Sequence, residues 1–212
     1  MLRIFKGASK VYRKRKFWYD QRYKDNYSFI HINKCGGTSV ESVLGIPKIH
    51  DTASHRIKVI GKKKWDNRFT FSLIRHPYSK VVSHYNYRVK TNKTNLKSSP
   101  IDLNDWVKLS YGEKNKRFYN VPLMFEPSFN WLTYKDHLVV DCIVKLEEID
   151  SEWPMICEKL KINYRPLPKV NQTSHNRIQE AFDKLDDEAL SIIHSHFSID
   201  FSEFKYNKLS RS

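Results

Sequence analysis

Apolar positions along this chain switch repeatedly between a strand-like and a helix-like spacing. Tyr27-Ser28-Phe29-Ile30-His31-Ile32 is an apolar, β-rich run that predicts a first strand. It leads into Asn33-Lys34-Cys35-Gly36-Gly37, a glycine-bearing turn. A helix is expected from Thr38, where Thr38 and Glu41 have capping-box spacing and Val40, Val43 and Leu44 share a face. Residues 51–64 predict a helix ending in lysines, and Phe69–Ile74 a second strand. Arg75-His76-Pro77 turns the chain, with Pro77 suited to the first turn of a helix over 78–90 that packs through Val81, Val82 and Tyr85.

Residues 91–100 read as an exposed loop, and 102–112 as a short helix around Trp106. Leu138–Val144 is apolar enough to predict a central strand of a parallel sheet. Helices are expected over 151–161, near 176–184 and over 186–197, with a polar loop from Lys169 to Asn176. Strands alternating with helices indicate an α/β domain with a mainly parallel sheet. The domain is expected over 27–212, preceded by a basic N-terminal arm, 1–26. That arm carries Arg13-Lys14-Arg15-Lys16 before Phe17-Trp18-Tyr19, and a solvated arm with packed aromatics is favoured over an acidic-partner patch.

Composition narrows the class. With 40% apolar and 14% aromatic residues in 212, the chain can bury a core, which excludes general disorder. Its net charge of +15 favours anionic partners: a phosphorylated cofactor, an acidic glycan, nucleic acid or an anionic membrane. Cys35, Cys142 and Cys157 are odd in number and widely spaced, so neither a disulfide framework nor a structural zinc site is expected. No apolar run approaches the roughly 20 residues of a membrane helix, and no signal peptide is evident. A complete chain would then be cytoplasmic, whereas a domain excised from behind an anchor could work in the Golgi lumen.

The strand–loop–helix unit at 27–44 carries the candidate chemistry. Glycines there let backbone N–H groups face an anion, helped by the helix terminus. Lys34 adds a charge, and Thr38 and Ser39 add hydroxyls. A Walker A loop places its lysine after the second glycine, but Lys34 precedes Gly36 and Gly37. Taken alone, the segment fits a tight turn with an incidental lysine equally well. Arg75 at a strand end, with Ser83 two turns along the next helix, supplies a second candidate grip for phosphate, although each also fits a purely structural role. No metal site is expected: there is no His-x-x-x-His pattern, and His194 and His196 lie two apart on a helix.

Together these segments resemble the sulfotransferases that use 3′-phosphoadenosine 5′-phosphosulfate (PAPS), in particular the carbohydrate sulfotransferases of the heparan and chondroitin type. His31-Ile32-Asn33-Lys34-Cys35-Gly36-Gly37-Thr38-Ser39 is similar to the first signature, with Asn33 in place of proline and Cys35 where threonine is common. Arg75-His76-Pro77, followed by Ser83 and Tyr85, is similar to the second. The resemblance continues in order through His50-Asp51-Thr52-Ala53, Asn130-Trp131-Leu132, Lys145–Ile149, Leu167–Ser174 and Asp200–Tyr206, with Glu126 and Pro127 as departures.

The resemblance implies a P-loop-like three-layer fold with a central, mainly parallel sheet flanked by helices. It implies in-line sulfonyl transfer from PAPS to a hydroxyl, with a carbohydrate as the expected acceptor, an acidic polysaccharide among the candidates, and no metal. Lys34 would face the phosphosulfate, and Gly36, Gly37, Thr38 and Ser39 would hold the 5′-phosphate. Arg75 and Ser83 would bind the 3′-phosphate, and the loop bearing Asn171 and Ser174 would fold over the nucleotide. His50 and His55 are the candidate bases, and the family pattern favours His50. The alternatives are a P-loop-type nucleotide phosphotransferase, with Asp141 as its acidic partner, and a basic nucleic-acid-binding module. No nucleic-acid-binding signature supports the latter.

Overall fold

The computed structural model describes residues 2–168 and 175–211, with the side chains of 2–10, 175 and 176 left aside. The chain divides into two units. The first comprises the described residues within 1–73, 131–144 and 148–170; the second comprises those within 74–130, 145–147 and 171–212. Each is taken in turn.

The first unit is built on a three-stranded sheet of order β1-β2-β5: β1 Tyr27–Ile30, β2 Phe69–Ile74 and β5 Cys142–Lys145. Strands β1 and β2 run parallel, with Phe29 opposite Phe71 and Ile30 opposite Ser72. The Phe29 and Phe71 rings meet at 4.9 Å between centroids. Around the sheet lie helices α1 Leu2–Tyr23, α2 Gly37–Leu44, α3 Ala53–Ile60, α4 Lys62–Asp66 and α8 Ile149–Leu160. Their apolar sides bury Val40, Ile57, Trp65, Trp153 and Ile156. The parallel sheet flanked by helices is the architecture expected from the alternating pattern.

Three expectations need correction. Residues 51–64 form two helices, because Gly61 takes φ 92°, a value that breaks the helix and favours glycine. The strand expected over 138–144 is two pieces. His137–Leu138 (β4) pairs antiparallel with Thr133–Tyr134 (β3) across a two-residue turn in which Lys135 and Asp136 have φ of 52° and 64°. The remainder is β5, at the sheet edge beside a central β2. Asp141 explains the interruption: its Oδ2 accepts from the Thr70 N–H (2.8 Å) and hydroxyl (2.7 Å), and its own N–H donates to Thr70 Oγ1 (2.9 Å). A side chain therefore takes the place of a ladder partner at the start of β2.

A buried polar network fixes the C-terminal turns of α1 to this sheet. Gln21 Oε1 accepts from Ser28 Oγ on β1 (2.8 Å) and from Arg56 Nη1 on α3 (2.7 Å). Arg56 also grips Asp51 through Nη2 (2.7 Å) and Nε (2.9 Å). Its guanidinium lies 5.0 Å from the ring centroids of both Phe17 and Trp18. Phe17 and Gln21 are buried, while Tyr12, Tyr19 and Tyr23 remain exposed.

The second unit contains α5 Pro77–Lys90, α6 Leu103–Val107, the first residues of α7 Ser128–Leu132, α9 His175–Phe182, α10 Asp187–His196 and α11 Ser198–Glu203. Helix α5 starts on Pro77 as expected, and α11 adds a turn beyond the last expected helix. Aromatic residues fill this core: Trp106, Tyr111, Phe125 and Phe197 are all buried. Lys80 is buried too, and its ammonium donates to Glu126 O (3.0 Å) and Ser128 Oγ (3.2 Å).

Arg56→Ala would leave the buried Asp51 carboxylate without its guanidinium. Removing one partner of such a pair costs about 3–5 kcal/mol. A urea titration followed by tryptophan fluorescence should show that loss; a change below about 1 kcal/mol, the scale of an exposed pair, would contradict it.

Candidate functional site

Beyond β1 the chain enters the glycine turn through buried His31, Ile32 and Asn33. Lys34 (φ 64°) and Gly36 (φ 81°) both take left-handed backbone, with buried Cys35 between them. That geometry turns the chain sharply into α2. Gly36 is the N-cap and no side chain caps it, so the Thr38–Glu41 capping box does not form. First-turn N–H groups of a helix have no carbonyl partner within it. Here the first turn carries no acidic residue, and Thr38 is exposed at its start. The terminus therefore suits an anion. Ser39 donates its hydroxyl hydrogen to Pro168 O (3.1 Å), leaving its N–H bonded to Gly36 O (3.0 Å).

Glu41 has a different partner set. Its Oε1 lies 2.6 Å from Nδ1 of His31, and both side chains are almost wholly buried. The same oxygen accepts from the backbone N–H of Ile49 (3.2 Å). The His31 ring lies so close under α2 that a Cβ on Gly37 would sit 2.2 Å from its Cδ2. Position 37 is thus glycine for want of space, a reason separate from any approach to phosphate.

His50 completes the cluster. Its Nδ1 is 2.9 Å from the backbone oxygen of His31, and the two imidazoles are 4.2 Å apart between centroids. A carbonyl can only accept, so Nδ1 of the neutral ring carries the hydrogen and Nε2 holds the lone pair. Trp131 meets the ring edge-on at 6.3 Å. Burial, reinforced by the neighbouring His31, pushes His50 down to about 4, so it is neutral near pH 7. The flanking residues hold it in place: Asp51 is clamped by Arg56, and Thr52 Oγ1 caps α3 by accepting from His55 N (3.1 Å). His55 itself is more than half exposed, with Nδ1 3.4 Å from Asp51.

Arg75 and Ser83 belong to the second unit. Arg75 is buried directly after β2, and Ser83 is half-buried on α5. Two carboxylates fix backbone N–H groups in this unit. Glu147 Oε1 accepts from His76 N (2.9 Å) at the start of α5. Asp200, fully buried, accepts from Ser128 N (2.7 Å) and Phe129 N (2.9 Å). His76, buried between Tyr78 and Tyr206, is also pushed down to about 4, while its Nε2 bonds Asn207 O at 3.1 Å. Asn171 and Ser174 lie outside the described residues.

Fold and loop together define an α/β protein with a strand–glycine turn–helix unit. The sequence profile of the sulfotransferase family matches residues 15–207. The chain belongs to that family, whose members transfer sulfonyl groups. No curated protein and no solved structure gives a significant match. Among the described residues no helix is long and apolar enough to cross a membrane, and no group of three or more His, Cys, Asp or Glu residues is placed to hold a metal.

The first unit brings Lys34–Ser39 and His50 together through His31. Sequence reasoning missed His31 and Glu41 as site residues. Both lay inside the recognised segment, but Glu41 carried a helix-capping explanation that concealed its reach to residues 31 and 49.

The lowered histidines set an acid limit. An unfolded histidine takes up its proton near pH 6.5, whereas folded His50 and His76 do so at about 4. Between those values the unfolded chain binds more protons, so stability should fall as pH drops from about 6.5 towards about 4. Urea midpoints at pH 7 and pH 4.5 should differ accordingly, and His50→Asn should shrink the difference. Equal midpoints would contradict the assignment.

Proposed function

We propose that this chain transfers the sulfonyl group of PAPS to an acceptor hydroxyl, with His50 as the base. One observation carries the reading: His31 ties His50 to the anion loop. Its ring packs on Gly37 and its carbonyl holds Nδ1 of His50, so the candidate base sits beside the turn that would hold the donor. Family membership supplies the reaction class.

PAPS would supply an activated sulfur and a phosphate leaving group. The N-terminal N–H groups of α2, with the Thr38 hydroxyl, would bind its 5′-phosphate. Ser39 donates its hydroxyl hydrogen to Pro168 O, and would have to turn that hydrogen toward the phosphate to hold it. Lys34 would neutralise charge gathering on the leaving oxygen, and donors preorganised for developing charge are usually the largest catalytic contribution. Arg75 and Ser83 would recognise the 3′-phosphate, Arg75 through bidentate bonds. Asn171 and Ser174 are proposed to close over the nucleotide. The acceptor oxygen would attack sulfur as its proton passes to Nε2 of His50, while the bond from sulfur to the bridging oxygen breaks and leaves 3′-phosphoadenosine 5′-phosphate (PAP). A carbohydrate acceptor is favoured by the resemblance and suited by the net charge of +15 where that carbohydrate is acidic.

The phosphotransferase alternative loses its acidic partner. Asp141 is committed to Thr70, opposite Ser28 near the amino end of the parallel β1–β2 pair, whereas the glycine turn follows the carboxyl end of β1.

PAP should raise the melting temperature well beyond AMP or ATP at equal concentration, since a ligand at 100 times its Kd adds about 2.7 kcal/mol. Arg75→Ala should erase the advantage of PAP over AMP, and equal shifts in the unaltered protein would refute the bisphosphate grip. His50→Ala should leave PAP binding intact and lower transfer at least about 100-fold, the low end for a general base. Near-normal turnover would remove His50 from the role.

A further inference from the structure

Glu41 and His31 form a buried pair, and the transfer chemistry above gives the Glu41 carboxylate no role. One carboxylate oxygen, Glu41 Oε1, holds two groups distant in sequence: the His31 ring at 2.6 Å and the Ile49 N–H at 3.2 Å. Those groups flank the hydrogen bond that His50 makes to the His31 carbonyl. On one side His31 offers the carbonyl that receives Nδ1; on the other Ile49 is the residue immediately before His50. One carboxylate oxygen engaged by two such groups is a geometric clamp.

We infer that Glu41, acting through His31, is the positioning residue that fixes the orientation and tautomer of His50. The inference rests on the reading of His50 as the base. Without the clamp the segment preceding His50 can withdraw from the end of β1. The Nδ1–H bond to the His31 carbonyl then weakens, and the ring is free to turn or to carry its hydrogen on Nε2. An imidazole with hydrogen on Nε2 presents no lone pair there to an acceptor hydroxyl. Other groups around His50 cannot replace the clamp. Lys48 and the His31 ring only disfavour its protonated form, and Asp51 is occupied by Arg56. Trp131 contributes a ring edge.

Two substitutions separate reach from charge. Glu41→Gln keeps the length and an accepting oxygen but removes the charge. Glu41→Asp keeps the charge and withdraws the oxygen by about one carbon–carbon bond, close to 1.5 Å. Glu41→Asp should lower kcat about 100-fold, the scale of a 1 Å misplacement, while PAP affinity and donor KM stay within about twofold. Glu41→Gln should recover most of kcat. In a His50→Ala background Glu41→Asp should cost nothing further, because residues acting through one group are not additive.

A second readout needs no turnover. Nitrogen-15 spectra of the imidazoles should show His50 as the Nδ1–H tautomer in the unaltered protein and in Glu41→Gln, and as a mixture in Glu41→Asp. The inference is overturned if Glu41→Asp costs the same with and without His50, if it weakens PAP binding as much as kcat, or if its His50 stays wholly Nδ1–H. Retained turnover in His50→Ala alone has a separate signature: it removes the base assignment itself, and the clamp's catalytic role with it.

Discussion

The site depends on a steric constraint at one position. The ring of His31 occupies the space that a side chain on residue 37 would need, so α2 can begin directly over the end of β1 only if Gly37 is bare. That close approach brings Glu41, one turn into α2, down to the His31 ring. It also leaves the His31 carbonyl available to the following segment, where His50 takes it. A larger residue at 37 would lift the helix terminus away from the strand. It would separate the first-turn N–H groups of α2 from the histidine pair in the same movement.

Much of this was legible beforehand because it rests on local patterns. β2 and the Pro77 start of α5 follow from short-range rules: a strand-length β-rich run and a proline at the first helical position. Some of the misreadings have long-range causes. The run 138–144 reads as one strand by composition, yet Asp141 satisfies Thr70 across 71 residues of sequence and breaks it. The Lys135–Asp136 hairpin turn lacks the Asn-Gly or Asp-Gly signal that marks such turns. Glu41 was read through its neighbour three residues back, whereas its partners are ten residues before it and eight after.

Several residues that make the family resemblance recognisable do structural work. Asp200 is wholly buried and caps the start of α7, and Glu147 receives the amide of His76 before α5. In the first unit Asp51 and Thr52 anchor the segment around His50, one through Arg56 and the other by capping α3. Buried carboxylates bound to backbone N–H groups or to a guanidinium are costly to leave unpaired, which ties them to their partners. A motif match at such a position therefore reports a scaffold able to hold the site, while the chemistry rests on fewer groups.

The acid–base properties of His50 follow from the same packing. Burial and a neighbouring imidazole keep it neutral, which guarantees a lone pair but makes it a weak base, with a proton affinity set near 4. A general base works best when its pKa approaches the working pH. Negative charge brought to the adjacent helix terminus would raise the pKa of His50, because an anion nearby favours the imidazolium. If the donor binds there and His50 is the base, as proposed, donor binding and base strength would be coupled. The histidine would be least able to accept a proton when the anion site is empty, and better able once a phosphosulfate lies beside it.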